Sequence, residues 1–277
     1  MEVAFTALSG EGVQLPFEQA VGSVRFEELA PVSAFPVRPH GWGAPGWWWS
    51  ATTRGHVAHG SAAMRLQLME LDRDPQVVGL SARPARFLWR RAGDGQVGTW
   101  IPQVFARYAD GTALFADCPS RTGPAVGRAL QGQLVLESVC AFQGWVYRRL
   151  VPPGAVRAAN LRWLAGYRHP RHRGPEAVQA AVRAAFAVAR PLMEGAARAG
   201  DPLQVLPVVY HALWAGKLAA SLEVPLDGHT LVRAGPDAGG GSSDSGVRAA
   251  RPAGPATGTG DRAGGGVEPG VGVGGFV

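Results

Sequence analysis

The chain has 277 residues, 46% of them hydrophobic and 17% charged, enough apolar content for a full core and a second, smaller one. Its 27 Lys and Arg outnumber its 21 Asp and Glu, the net charge is +6 and the sequence pI is about 10.1, so the chain is drawn to polyanions, nucleic acid first. No apolar run approaches the roughly 20 residues that a membrane helix needs, which excludes a helical membrane protein.

A second explanation of the charge is composition alone. Lys217 is the single lysine, and an Arg-, Ala-, Gly- and Pro-heavy chain also follows from GC-rich coding. The cysteines, Cys118 and Cys140, form no C-x-x-C and have no His at ligand spacing, so zinc is not expected. A reducing, cytoplasmic setting is expected, because the opening "MEVAFTALSG" has neither a basic n-region nor an apolar h-region.

In chain order, residues 1–55 read as a Pro-broken, Trp-rich extension that closes on "HGWGAPGWWWSATTRGH". Four of the nine tryptophans fall there: Trp42, Trp47, Trp48 and Trp49. Two readings stand open for them, a platform on which bases stack or a loop pinned to a core by its rings. Ser61 is placed as the N-cap of a helix through "SAAMRLQLMELDRDP", with Ala62, Leu66 and Met69 as its apolar stripe. "VVGLSA" and "ARFLWRR" read as strands, rich in Val, Leu and aromatics. "VGTWIPQVFARY" and "TALFADC" read as a hairpin about Asp110-Gly111. Pro124 opens a helix that stops near Gly144, "WVYRRL" is a further strand, and "PGAVRAANLRWLAGY" is a helix ending at Gly166. The expected class is therefore α/β (α+β), a mixed sheet with helices against it over 56–167.

"RHPRHRGP" reads as a basic linker. Its Arg168, His169, Arg171, His172 and Arg173 either touch a phosphate backbone or form a solvated connection. Residues 174–233 read as two helices and a hairpin with a core of their own. One helix runs through "PEAVQAAVRAAFAVARPLME", and the other starts at the Asp201-Pro202 cap. A hairpin around Asp227-Gly228 completes a winged-helix-like outline. From about Ala234 to 277, Gly, Pro, Ser and Ala dominate, and a segment so poor in bulky apolar residues is expected to be disordered.

The Asp110-Gly111 hairpin carries the chemistry. Metal-dependent phosphodiester cleavage needs a hard cation held by several oxygens and a water activated beside it. Restriction-type sheets supply an Asp at the end of one strand, an acid-x-Lys on the next and a Glu from the preceding helix. Here those positions hold Gln103, Asp117 followed by Cys118-Pro119, and Met64. Glu70, Asp72 and Asp110 are the acids that could stand in, but Asp110 suits the turn and Asp72 and Asp74 suit a helix end. His56, His59, His169, His172, His211 and His229 show no paired-ligand spacing.

Several stretches, "WWWSATTRGHV", "LDRDPQVVGLSARP", "ARYADGTALFADC", "ANLRWLAGYRHPRH" and "DPLQVLPVVYHALWAGKLAASLEVPLDGHTLVRA", resemble the TnsA-like heteromeric transposase endonuclease subunits of high-GC Gram-positive bacteria. The resemblance runs from about Trp47 to Ala234, and "LRWLAGYRHPRH" is its most specific part. It implies a PD-(D/E)xK restriction-endonuclease-like core followed by a winged-helix-like domain. It implies DNA as substrate, Mg²⁺ as cofactor, and a DDE-type transposase subunit and an ATPase regulator as partners. Taken residue by residue, it also implies a degenerate site. The family's Ser-x-x-Glu-Arg is Ser61-Ala62-Ala63-Met64-Arg65 here, its Pro-Asp is Pro102-Gln103, and its Asp-x-Lys is Asp117-Cys118-Pro119. Only Asp117 survives as catalytic and metal-binding position, and no basic residue follows until Arg121. The expected role is a transposition component acting through DNA or partner contacts, with no stably bound Mg²⁺. The alternatives are an active Mg²⁺-dependent endonuclease that cuts one strand at transposon ends and a winged-helix DNA-binding regulator.

Overall fold

The computed structural model describes residues 1–36, 45–91, 93–120 and 123–236. The expected disordered tail therefore lies outside the described residues from 237 onward, as do Trp42 and Arg121. At its expected start, Ala234 still belongs to a strand and the Gly235 N–H donates to the Lys217 carbonyl at 2.9 Å.

The chain opens with a hairpin of β1 (Glu2–Thr6) and β2 (Gly12–Pro16), then α1 (Phe17–Ser23). A second hairpin follows, β3 (Gly46–Trp49) with β4 (His56–His59). Helix α2 (Ala62–Asp72) starts where the sequence places its cap, the Ser61 hydroxyl accepting from the Met64 N–H at 3.1 Å. Then come β5 (Val77–Ala82), β6 (Arg86–Arg90), β7 (Val97–Trp100), β8 (Val104–Tyr108), β9 (Ala113–Asp117), α3 (Gly127–Phe142) and β10 (Val146–Arg149).

The central sheet has the order β10-β9-β8-β5. Its β5–β8 and β8–β9 pairs are antiparallel and β9–β10 is parallel. α2 precedes these strands and α3 lies between β9 and β10, but the expected strand "ARFLWRR", here β6, is not part of this sheet. The Asp110-Gly111 turn forms as expected: Gly111 takes φ 83°, and the Tyr108 N–H donates to the Thr112 carbonyl at 3.0 Å.

One expected strand is two. Residues 97–108 break at Pro102, which has no N–H to give a ladder. Val97–Trp100 pairs with β6 and Val104–Tyr108 with β9. β6 and β7 leave the central sheet and join the opening hairpin in a second one, ordered β2-β1-β6-β7. Residues 1–36 and 45–55 are therefore built into the fold. Phe17 and Phe26 are fully buried and pack edge-on against Phe87 and Phe115.

The central sheet is covered on both faces, and its strands divide their side chains by alternation. Phe105, Ala113 and Phe115 face the phenylalanine-rich core contributed by the N-terminus, with Trp145 and Tyr147. Val104, Ala106, Leu114 and Ala116 face a larger core with Met64, Leu68 and Leu161. Each fully buried Phe or Leu contributes about 1.5–3 kcal/mol, so both faces matter to stability.

The larger core continues into the C-terminal elements. These are α4 (Ala155–Ala165), α5 (Glu176–Ala185), β11 (Arg190–Pro191), α6 (Leu192–Ala199), α7 (Pro202–Trp214), β12 (Leu218–Ala219) and β13 (Leu231–Ala234). Their small sheet has the order β11-β13-β12. The helix expected over 175–194 is two helices with a strand between them. Phe186 ends the first by burying itself completely, and Gly195 of α6 packs against its ring, where a Cβ would come within 2.2 Å. Residues 174–233 do not form a separate core: Val182, Phe186, Val209, Trp214 and Val232 belong to the same cluster as Met64 and Leu161. Asn160 adds a polar stitch, donating to the Leu222 and Val224 carbonyls and accepting from the Leu226 N–H. None of the described helices is long and apolar enough to cross a membrane.

Candidate functional site

Asp117 ends β9, with Arg149 beside it in the parallel register of β10. Its carboxylate is buried and fully engaged. Oδ2 accepts from the Trp100 indole N–H at 2.7 Å and from the Tyr147 hydroxyl, and Oδ1 accepts from the Gln103 N–H at 3.1 Å. Burial pushes its pKa above the usual carboxylate range, while the bonds from Tyr147, Trp100 and Gln103 and the Arg149 charge pull it back. Trp100 can close over this end of the sheet because Gly132 of α3 leaves room for its ring; a Cβ there would sit 2.6 Å from it.

Gln103 is equally occupied. Its side-chain carbonyl accepts from the Cys118 N–H at 2.8 Å, tying the start of β8 to the end of β9. Met64 is completely buried in the larger core, and Pro119 is half-exposed just beyond the strand. The structure thus brings Gln103 and Asp117 into direct contact. Both Asp117 oxygens and the Gln103 carbonyl already accept hydrogen bonds from within the fold, and Met64 is a packing residue. This set does not fit Mg²⁺, which demands several hard oxygens at short range. Among the described residues no group of three or more His, Cys, Asp or Glu side chains converges.

The stand-in acids have structural work. Glu70 pairs with Arg157. Asp72 is buried and accepts from the Trp48 indole, the Ser50 hydroxyl and the N–H groups of Ala51 and Thr52, which fixes the loop between β3 and β4. Asp110 accepts from the Thr112 N–H and hydroxyl, the turn role expected from sequence. Trp100 and Tyr147, the two donors that hold Asp117, carry no signal in the sequence that marks them. Tyr147 reaches it through the β9–β10 pairing, which no local pattern announces. Both cysteines are free and buried, and burial pushes the Cys140 thiol up to about 12.

The five residues of the basic segment divide. Arg168 is a packing residue: its Nε donates to the Trp49 carbonyl at 2.8 Å, its Nη1 to the Ala165 carbonyl at 2.6 Å, and its guanidinium lies 4.0 Å over the Trp48 ring. Its donors face the fold, so the structure takes it out of the set expected to reach phosphate. His169, Arg171 and Arg173 are exposed, and His172 is half-buried. Arg171 donates to the His172 ring, and Arg173 donates to Gln179. Burial lowers the His172 pKa, and the further causes are all cationic: Arg171, His211 and His169. The tryptophans also divide. Trp48 is buried against Trp214, Trp47 is exposed, and Trp49 stacks on His169 with ring centres 4.8 Å apart. No protein-family model and no curated protein matches the chain.

Proposed function

We propose that this chain is a TnsA-like component of a DNA transposition machinery that has kept a restriction-endonuclease-like core and lost its metal chemistry. The order α2, β5, β8, β9, α3, β10, with β10 parallel to β9, supports the core assignment. The order α5, β11, α6, α7, β12, β13, with β13 between β11 and β12, supports a winged-helix-like unit. The observation that carries the loss of catalysis is Asp117, the one acid retained at the strand ends, with both oxygens turned onto Trp100, Tyr147 and Gln103. On this reading DNA affinity comes from exposed arginines and the net positive charge, and the DDE-type transposase and ATPase regulator remain the partners.

A regulator that reads a duplex through α7 is less well supported. Residues 202–214 carry no Arg or Lys, and such a helix has little to offer base edges or phosphates in a major groove. The test is a nicking assay of the purified chain on supercoiled DNA with Mg²⁺ or Mn²⁺, beside a binding titration. The expected result is DNA binding that weakens as salt rises and no metal-dependent nicking. Robust nicking that Asp117→Asn abolishes would overturn the reading.

A further inference from the structure

A chain of aromatic rings runs across the surface on either side of the basic turn. At one end, Trp47 and Trp49 share a face of β3, since alternate residues of a strand point the same way. Trp47 is 67% exposed, and Trp49 stacks on His169. His169 caps the short turn that carries Arg171, and Arg171 bonds the His172 ring. On the other side of that turn, the His172 ring lies 5.2 Å from Tyr167. Tyr167 packs on Tyr210 at 4.8 Å, and Trp163, 53% exposed, stands perpendicular to Tyr210 at 5.8 Å.

The segments that build this arc are 45–59, 155–175 and 202–214, and none contains an Asp or a Glu. The acid behind it, Asp72, is buried and spent on Trp48 and the loop after it. Arg162, Arg171 and Arg173 are exposed around it. Single exposed tryptophans are common on protein surfaces. A run of ring faces on segments that carry arginines and no carboxylate, with the exposed acids Glu176 and Asp201 only at the segment ends, is a different thing: it matches a strand of phosphates whose bases are free to stack. A duplex hides its base faces inside the stack, so paired DNA cannot use the rings.

We propose that this arc binds single-stranded nucleic acid, with Trp163 and Trp47 as stacking residues and Arg171 and Arg162 as phosphate contacts. The inference rests on the reading that the chain binds DNA and adds which form it takes and where.

The test uses the full chain and fluorescence anisotropy with three labelled probes of equal length: an oligothymidine, the matching duplex, and a strand of abasic sites with the same charge. The expected order of affinity is oligothymidine first, with the abasic strand and the duplex weaker. Trp163→Ala is expected to weaken oligothymidine binding about 5- to 100-fold and to leave duplex binding unchanged. Trp47→Ala gives an independent variant, and thermal unfolding of each variant checks that an exposed ring was removed with the fold intact. Equal affinity for oligothymidine and the abasic strand, or no effect from either Trp substitution, overturns the stacking track. Duplex binding that persists beside such a result leaves the DNA-binding reading standing. Binding to none of the three probes overturns both.

Discussion

The strand ends around Asp117 and the arc around Arg171 hold similar chemistry in opposite states. Both contain aromatic rings, hydrogen-bonding side chains and charge. At Asp117 every oxygen has a donor, and the donors are the rings themselves, Trp100 and Tyr147. Around Arg171 the rings pack on one another and the cations point outward. A polar group satisfied inside a protein contributes to folding and has nothing left for a ligand. The arc leaves its groups open, and it is there that a ligand has something to gain. In a nuclease of this architecture the expectation would be reversed, with the strand ends open and the linker inert.

Removing the acid tests the closed half most severely. Asp117→Ala leaves the Trp100 indole N–H and the Tyr147 hydroxyl without their acceptor, while the Gln103 N–H keeps the Ala116 carbonyl at 2.9 Å. With about 1–3 kcal/mol for each buried group so stranded, partly relieved by water, a loss of about 3 kcal/mol is expected in urea unfolding. Asp117→Asn keeps the shape and one carbonyl, and is expected to cost less. A stability unchanged by Asp117→Ala would mean that the carboxylate faces solvent, and the comparison would collapse.

Two arginines three residues apart sharpen the boundary between the halves. Arg168→Ala removes two charge-assisted bonds and a guanidinium stacked on Trp48, an expected loss of about 2 kcal/mol in stability. Arg171→Ala is expected to leave stability within about 0.5 kcal/mol of the parent. It should instead reduce the slope of log affinity against log salt by about 1, as expected when one fewer phosphate is neutralised. If the two variants exchanged phenotypes, the assignment of Arg168 to the fold and Arg171 to the ligand would be wrong.

The sequence makes the local features of both halves legible and conceals their state. The Ser61 and Asp201 caps and the Asp110-Gly111 turn follow from short-range rules, and the structure has them. Pro102 is a visible strand break, although the apolar pattern on either side of it reads as one strand. The two-sheet arrangement is not visible, because β6 leaves the central sheet to pair with a strand more than 80 residues earlier in the chain. The break between Ala185 and Leu192 carries a Pro signal, Pro191 at the cap of α6, while the burial of Phe186 against Gly195 that ends the first helix has no local mark. The fate of Arg168 depends on Trp48 and Trp49, about 120 residues away. Legibility at the strand ends is partial for the same reason. The residues at the Met64 and Gln103 positions can be read directly, but not that Trp100 and Tyr147 take Asp117 for themselves.

The smallest expected effect is the pH dependence, and here the two halves pull in opposite directions. Burial raises the pKa of Asp117 and lowers that of His211, whose Nδ1 lies 2.8 Å from the Tyr167 carbonyl beneath the arc. For Asp117 the folded pKa lies above the unfolded value of 3.8. Its contribution is therefore fully present below that pH and is lost as pH rises through the folded value. For His211 the folded pKa lies below the unfolded value of 6.5. The unfolded chain takes up the proton more readily, so stability falls as pH drops below 6.5. His59, buried with Arg65 nearby, acts in the same sense as His211. Urea midpoints measured from pH 7.5 to 5.5 should therefore decline, and His59→Gln with His211→Gln should flatten that decline. Asp117→Asn should alter the profile from the acid end instead, removing the loss that begins above pH 3.8. If the His variants left the slope between pH 7.5 and 5.5 unchanged, burial of these rings would not be its source, and the ring cluster beneath the arc would be more open to water than Asp117's surroundings by a wider margin than their hydrogen bonds indicate.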